Sequence, residues 1–167
     1  RQTVTRSNTD GIAVVGNTVY DRHGRAAITT LPTPIVMDQC GQPVNATPLK
    51  HYAGMLEVGQ GDLFDWRDFD KDGAGGVCDP LPAPPLTGLV DYYYSQQYAA
   101  DASDPQLLKE PNPFIPNSEG YAYQQVEFTP DASGRVRRQG GPGLPFQLAP
   151  GDHVTSYLYG KPDQPSL

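Results

Sequence analysis

Proline and glycine recur so often along this chain that no long helix fits between them. Of its 167 residues, 18 are Pro and 18 are Gly. Proline inside a helix removes a backbone hydrogen bond and clashes with the preceding turn, and glycine is a poor helix former. The segments between these breaks are rich in Tyr, Val, Thr and Phe, which favour strands. We therefore predict an all-β protein of antiparallel hairpins with long irregular Pro/Gly-rich loops and little helix.

The clearest strand pattern lies near the N-terminus. Two runs rich in β-branched residues, IAVVGNTVY (12–20) and RAAITTL (25–31), flank the turn sequence DRHG. Such runs on either side of a short polar turn predict a β-hairpin, which we place over residues 12–36. Prolines cannot donate to a central ladder, so LPTP (31–34) predicts the end of its pairing.

The rest of the chain divides into an irregular stretch and a second set of strands, so that residues 1–167 form a single β-rich segment. Residues 38–118 mix proline and glycine clusters with many large apolar side chains. Those side chains are too numerous for a linker, so we expect an ordered irregular insertion that packs on the sheet. It contains one predicted strand, DYYYS (91–95). The second set of predicted strands, within residues 119–160, is YAYQQVEF (121–128), RVRRQ (135–139) and HVTSYLYG (153–160).

Charge and hydropathy exclude two classes of partner. The formal net charge is -7, and the one basic cluster is Arg135, Arg137 and Arg138. Nucleic-acid phosphates require a basic face, so we expect no nucleic-acid partner. No apolar stretch is long enough for a membrane-spanning helix, and residue 1 does not open a signal peptide. The start at Arg1 and a predicted strand close to the C-terminus indicate a piece of a larger protein.

The pattern Asp-x-x-Gly-Arg occurs twice, at Asp21, Gly24 and Arg25 and again at Asp131, Gly134 and Arg135. An Asp that opens a turn accepts hydrogen bonds from backbone N–H groups two or more residues further on. The Gly supplies the positive φ that a hairpin bulge needs, and the Arg begins the return strand close enough to pair with the Asp. Both copies therefore predict structural turns rather than catalytic sites.

The first turn carries a family resemblance. YDRHGR (20–25) is similar to the Y-D-x-x-G-R core of the YD repeat of the Rhs (rearrangement hotspot) family, with matches at Tyr20, Asp21, Gly24 and Arg25. Residues 114–143 and 151–164 resemble a segment that lies upstream of the repeats in large bacterial Rhs-type proteins, notably of the Bacteroidetes kind. The second turn departs from the repeat, because Thr129-Pro130 stands where the repeat has an aromatic residue directly before its Asp.

The resemblance implies a structural role. In the family, YD repeats wind into a hollow β-shell around a toxic C-terminal domain, and a separate core domain cleaves the chain to release it. Neither part is recognisable here, so we expect a non-enzymatic scaffold segment of a toxin-associated assembly. The resemblance further implies a secreted or cell-surface location. The expected partners are the remainder of the parent Rhs-type chain, or other copies of this chain that pair through edge strands.

The sequence DFDKDGAGGVCD (68–79) gives a competing interpretation. Its carboxylates fall at positions 1, 3, 5 and 12 of an EF-hand-like loop, and Gly73 stands at position 6, where the chain turns sharply. Against this, position 12 is Asp rather than Glu, and the prolines that follow forbid an exiting helix. The stretch is either a structural Ca²⁺ site or a solvated acidic loop without an ion, and both interpretations stay open. The predicted ligands are Asp68, Asp70, Asp72 and Asp79.

Two further functions stay open at this point. A bound calcium ion would suit an extracellular carbohydrate- or ligand-binding β module, and a hydrolase assembled from scattered residues is the third alternative. Cys40 and Cys78 form a disulfide in an oxidising compartment or stay free thiols in a reducing one. Neither cysteine has a base close in sequence, and the three histidines do not stand at ligand spacing.

Overall fold

The chain folds around one antiparallel β-sheet, which confirms the all-β prediction. The computed structural model describes residues 1–6, 11–36, 57–58, 62–70, 83–96, 114–131, 133–148 and 153–160. The strands of the sheet are β1 (Gln2–Arg6), β2 (Ile12–Tyr20), β3 (Ala26–Thr30), β4 (Thr33–Val36), β7 (Tyr123–Phe128), β8 (Val136–Gly140) and β9 (Thr155–Ser156). The other elements are the two-stranded ribbon β5 (Glu57–Val58) and β6 (Asp62–Leu63), the short helices α1 (Trp66–Phe69) and α2 (Leu89–Tyr93), and a 3₁₀ turn (Leu144–Phe146).

Six strands follow each other across the sheet in the order β1-β2-β3-β7-β8-β9, and β4 pairs with β2 beside this path. The nine-residue β2 is shared between neighbours. Its first half pairs with β1 on one side and with β4 on the other, whereas its last residues pair with β3. The predicted hairpin therefore forms, with β2 as its long central strand and the chain from Ala26 onwards as its return.

The prediction that LPTP ends the hairpin is wrong. After a break at Leu31 and Pro32, β4 resumes the pairing with β2, and Pro34 lies opposite Val14 inside that strand. A proline is tolerated on an edge strand because its missing N–H costs no ladder hydrogen bond on the open side. Within the described residues β4 pairs with β2 alone, so it is such an edge.

The second set of strands joins the first through the β3–β7 pair. Ile28 faces Gln125 across this seam, so β3 and β7 are neighbours although the whole irregular insertion separates them in sequence. The hairpin of β7 and β8 follows, and β8 pairs in turn with β9. Of the last predicted strand, 153–160, only Thr155 and Ser156 pair with β8 as strand residues.

One face of the sheet is covered by the described part of the insertion. Phe64 is fully buried and its ring centre lies 6.2 Å from that of Tyr123 on β7. Buried Tyr123 also donates from its hydroxyl to the carbonyls of Ala83 and Pro84, at 3.0 and 3.1 Å. Burial of such rings is a large part of the hydrophobic driving force of a small core. The core cluster is Ala13, Val15, Val19, Ala27, Ile28, Ile35, Phe64, Phe69, Ala83, Leu86, Val90, Ala122 and Tyr123.

The predicted strand at DYYYS is also wrong, because residues 89–93 form α2. Val90 is fully buried in the core, and half-buried Tyr94 follows four residues later on the same side. A four-residue spacing of apolar side chains suits a helix that lays one face on the sheet. The run of tyrosines has strand propensity, but tertiary packing overrides it here.

Candidate functional site

The first Asp-x-x-Gly-Arg turn is held by the carboxylate of Asp21. One oxygen accepts the backbone N–H groups of His23 and Arg25, at 2.9 and 2.8 Å, and the other accepts Nε–H of Arg25 at 2.6 Å. The turn closes through the N–H of Asp21, which donates to the Arg25 carbonyl at 2.9 Å. Gly24 takes φ +77°, a left-handed conformation that favours glycine. Asp21 thus accepts the hydrogen bonds that hold the turn, Gly24 supplies its positive φ, and Arg25 pairs with the Asp21 carboxylate.

Arg25 also reaches out of its own hairpin. Its guanidinium carbon lies 4.5 Å from the centre of the Phe128 ring at the end of β7, and its Nη1–H donates to the Thr129 carbonyl at 3.4 Å. A guanidinium within about 6 Å of a ring centre is attracted by the negative face of the ring. The turn arginine thus ties the first hairpin to the second.

The second turn repeats this construction with more hydrogen bonds. One oxygen of Asp131 accepts the backbone N–H and the hydroxyl of Ser133 as well as the hydroxyl of Thr129, and the other accepts Nη2–H of Arg135 at 3.1 Å. Hydrogen bonds from Ser133 above all, then from Thr129 and Arg135, hold the pKa of the Asp131 carboxyl well below its usual range. Gly134 has φ +66°. Asp131 is therefore an ionised structural acceptor rather than a proton donor.

Arg135 stacks on an aromatic ring of the next strand, as Arg25 does. Its guanidinium carbon lies 4.9 Å from the ring centre of Tyr159. Continuing the observed registers by three residues places Arg25 opposite Phe128 and Arg135 opposite Tyr159. Rings and arginines therefore alternate across one end of the sheet, at the ends of neighbouring strands or just beyond them. We call this set the turn row, and its members in order across the sheet are Tyr20, Arg25, Phe128, Arg135 and Tyr159.

The register corrects the comparison of the two turns. The sequence alone indicates that the second turn lacks the aromatic residue of the repeat. In the structure Phe128 pairs with Val136 directly after a register shift, as Tyr20 pairs with Ala26 in the first hairpin. Phe128 is thus the counterpart of Tyr20, and the second loop is two residues longer before its Gly-Arg. When the two turns are aligned on their Asp residues, this match is missed. When they are aligned on the last strand pair before each turn, Phe128 falls on Tyr20.

The basic cluster around Arg137 and Arg138 is partly neutralised within the sheet. Glu127 on β7 accepts a hydrogen bond from Arg137 at 2.9 Å and another from Nε–H of Arg138. Glu127 has only 10% of its side chain exposed and Arg138 has 18%, whereas Arg137 is exposed, so the Glu127–Arg138 pair is the better shielded of the two. Glu127 therefore offsets part of the positive charge of these two arginines.

The structure brings Asp21, His23 and Asp70 together, with one candidate ligand atom from each within 4.8 Å of the others. Their surroundings do not favour a cation. Both oxygens of Asp21 already accept hydrogen bonds, and Asp70 accepts the backbone N–H of Arg22 at 2.9 Å. The guanidinium groups of Arg22 and Arg25 add positive charge beside the carboxylates. The cluster is best explained as a hydrogen-bonded clamp that fixes the first turn to the end of α1.

The predicted calcium ligands are only partly within the described residues. Asp68 lies in α1, where its carboxylate accepts the Asp65 N–H at 2.8 Å and completes a capping box. Asp70 ends this helix and contacts the first turn. Asp72 and Asp79 lie outside the described residues, as do Cys40 and Cys78. The calcium site and the disulfide therefore stay predictions.

Comparisons of the chain with protein-family models, with curated proteins and with solved structures gave no significant match. Among the helices of the described residues, none has the length and hydropathy to cross a membrane.

Proposed function

We propose that this chain is a structural segment of an Rhs/YD-repeat protein, without catalytic activity, which supplies hairpins to a larger β-shell or surface assembly. The observation that carries the proposal is the turn row, in which each arginine that follows a turn glycine stacks on the ring of the next strand. A contact that repeats from hairpin to hairpin suits a protein built by adding hairpins to a continuous sheet.

The chemistry of the two turns supports a scaffold rather than an enzyme. The carboxylates of Asp21 and Asp131 already accept three and four hydrogen bonds from backbone, hydroxyl and guanidinium donors. A general base or a nucleophile needs a lone pair directed at a substrate, and these hydrogen bonds direct the carboxylates into their own turns instead. Secretion or display at a cell surface, and a link to toxin encapsulation, follow from the family resemblance and belong to the same proposal.

The two ends of the sheet support assembly. Within the described residues, β1 and β9 each pair on one side only, and Leu158, two residues after β9, is 97% exposed. Six antiparallel strands lie on the path, so β1 and β9 run in opposite directions and a further antiparallel strand fits either edge. Open edges of this kind pair with other strands unless they are blocked. The expected partners are adjoining hairpins of the parent chain, or other copies of this chain.

Sedimentation velocity over a range of protein concentrations tests this proposal. We expect concentration-dependent association of the unmodified chain and its reduction by Leu158→Lys, which places a charge at the β9 edge. Arg22→Lys, in a turn away from both edges, is the matched control and should associate like the unmodified chain. A chain that stays monomeric at every soluble concentration, with or without Leu158→Lys, would contradict pairing through this edge.

A calcium-stabilised carbohydrate- or ligand-binding module is our second proposal. It rests on the spacing of the carboxylates in residues 68–79, of which Asp70 lies beside the first turn and accepts the backbone N–H of Arg22. An ion held by residues 68–79 would therefore sit close to the sheet and could order the insertion. The effect of calcium on the melting temperature tests this proposal.

A further inference from the structure

The turn row has an aromatic member with no arginine stacked on it. Phe128 receives Arg25 and Tyr159 receives Arg135, each from the strand before it in the order of the sheet. Tyr20 occupies the equivalent position on β2, and it is 36% exposed. Among the described residues no cation and no second ring contacts it. The strand before β2 in the sheet is β1, so an arginine in the equivalent place would lie in line with β1.

Register shows where that position is. Gln2 pairs with Asn17, and the next pair is Arg1 with Thr18. Arg1 and Thr18 exchange both backbone hydrogen bonds, each at 2.7 Å. The same register continued by two residues places the second position before Arg1 opposite Tyr20. That position lies directly opposite Tyr20 on the adjacent strand, as Arg25 lies opposite Phe128 and Arg135 opposite Tyr159.

The backbone at the end of β2 is prepared for the same extension. Hydrogen-bonding direction alternates along an antiparallel strand, so Tyr20 points its N–H and C=O to the β1 side, as Thr18 does. Asp21, by contrast, points to the β3 side and donates to Arg25. Among the described residues no backbone group pairs with Tyr20 on the β1 side. The end of β2 therefore offers one open hydrogen-bonded pair together with one uncovered ring.

We propose that the end of β2 is a binding site for an arginine carried by an extended segment that continues β1 by two residues, with its guanidinium stacked on Tyr20. This inference rests on the proposed function, because it takes the stacking rule of the turn row as general. It adds the chemistry that the site selects: a guanidinium on a strand, two residues before Arg1 in register.

A segment continuous with β1 suits this site because it extends the antiparallel register that β1 and β2 already share.

A double-mutant cycle on the full chain tests the site. One protein carries a Gly-Arg-Thr extension joined to Arg1, so that the added arginine lies opposite Tyr20, and its matched control carries Gly-Gln-Thr. We expect the arginine extension to unfold at a temperature higher than the glutamine extension by about 1–4 °C, the size of an exposed cation–π contact in a domain of this length. In Tyr20→Leu the difference between the two extensions should vanish, whereas in Tyr20→Phe it should persist.

Proton chemical shifts give a second measurement, which does not depend on the overall stability of the protein. The side-chain protons of the added arginine should shift upfield when they lie over the Tyr20 ring and should return to ordinary values in Tyr20→Leu. An equal difference between the extensions in the unmodified chain and in Tyr20→Leu, or no upfield shift, would overturn the inference. The measurements are made at a concentration where the protein is monomeric. Association through sheet edges is measured separately by sedimentation velocity. The proposed function and the arginine site can therefore fail independently of each other.

Discussion

The guanidinium of Arg25 lies over the ring of Phe128, with 4.5 Å between the guanidinium carbon and the ring centre. The same side chain is paired with Asp21 inside its own turn and donates to the Thr129 carbonyl 104 positions further along the chain. One arginine therefore fixes a local turn and joins two hairpins that are distant in sequence. Arg135 likewise pairs with the Asp of its own turn and stacks on a ring outside it. These two roles explain why the residue after the turn glycine is Arg in both copies.

A double-mutant cycle of Arg25→Gln and Phe128→Leu should measure the contact between hairpins. Glutamine cannot stack as a cation, and leucine removes the ring but keeps apolar volume. We expect a coupling free energy of about 0.5–1 kcal/mol between the two positions, from chemical denaturation. The pair Arg25→Gln and Tyr159→Leu is the control, because Tyr159 contacts Arg135 instead, and its effects should add. Additive effects in the first cycle would show that the stacking contributes nothing.

Replacing either turn glycine should destabilise the protein through backbone strain alone. Gly24 and Gly134 have φ of +77° and +66°, and an added Cβ at either position meets nothing within 4 Å. Gly24→Ala should therefore cost about 1–2 kcal/mol of unfolding free energy, the price of a left-handed L-residue. Gly16→Ala, in β2, is the control, since its φ is ordinary and the space around it is equally open. Equal effects of the Gly24 and Gly16 substitutions would contradict the conformational explanation.

The hydroxyl of Tyr123 should contribute more to the free energy of unfolding than an exposed tyrosine hydroxyl does. Tyr123→Phe leaves the carbonyls of Ala83 and Pro84 without this buried donor, so we expect a loss of about 1–2 kcal/mol in unfolding free energy. Tyr157→Phe removes a hydroxyl that bonds Gln139 at the exposed surface, and it should be nearly neutral. Hydrogen exchange should also accelerate in residues 83–96 of Tyr123→Phe. Unchanged exchange there would indicate that this hydrogen bond does not hold the insertion on the sheet.

Two carboxylates should give opposite pH dependences. Partial burial raises the pKa of the Asp91 carboxyl above its usual range, although a backbone hydrogen bond from Gly120 acts in the opposite direction, so the charge of Asp91 opposes folding at neutral pH. The folded protein binds this proton more tightly than the unfolded chain does. The resulting gain in stability is fully present below the unfolded-state pKa and is lost as pH rises through the folded-state pKa. Asp91→Asn, which keeps an acceptor for Gly120, should therefore raise the melting temperature at pH 7 and lose this advantage in acid.

Asp131→Asn is the counterpart. The pKa of Asp131 is depressed, so its charge supports folding above the unfolded pKa, and that support is lost as pH falls through the folded pKa. The substitution should lower the melting temperature at pH 7, with a smaller loss in acid. Melting curves recorded from acid to neutral pH check both signs. Parallel curves for the two variants would contradict the assigned causes.

Calcium should raise the melting temperature if residues 68–79 bind it. At a free concentration one hundred times the dissociation constant, binding to the folded state alone adds about 2.7 kcal/mol. The shift should disappear in EGTA and in Asp72→Asn, and it should survive in Asp131→Asn, which lies outside the loop. A melting temperature that is identical in calcium and in EGTA would remove the metal proposal.

The local parts of the fold are predictable from the sequence, and the long-range parts are not. Both turns follow from Asp and Gly at fixed spacing, because Asx hydrogen bonds and positive φ are decided within a few residues. The sequence gives the wrong prediction at Pro34, because a proline is tolerated on an edge strand. It also gives the wrong prediction at the tyrosines of α2, because packing on the sheet overrides their strand propensity. The partners of Arg25 and Arg135 lie in other strands, so they emerge only from the register of the sheet.

The seam between β3 and β7 also determines how this chain must fold. The hairpins on either side of it are local and form quickly, whereas the seam needs the ends of the insertion to meet and pays its loop-closure entropy first. We therefore expect sheet completion to be the slow, late event. Before it occurs, a hairpin of β7 and β8 would have an unpaired edge, and β3 of a neighbouring chain would present the same complementary edge as their own. At high concentration during refolding, exchange of hairpins between chains competes with correct closure at this seam.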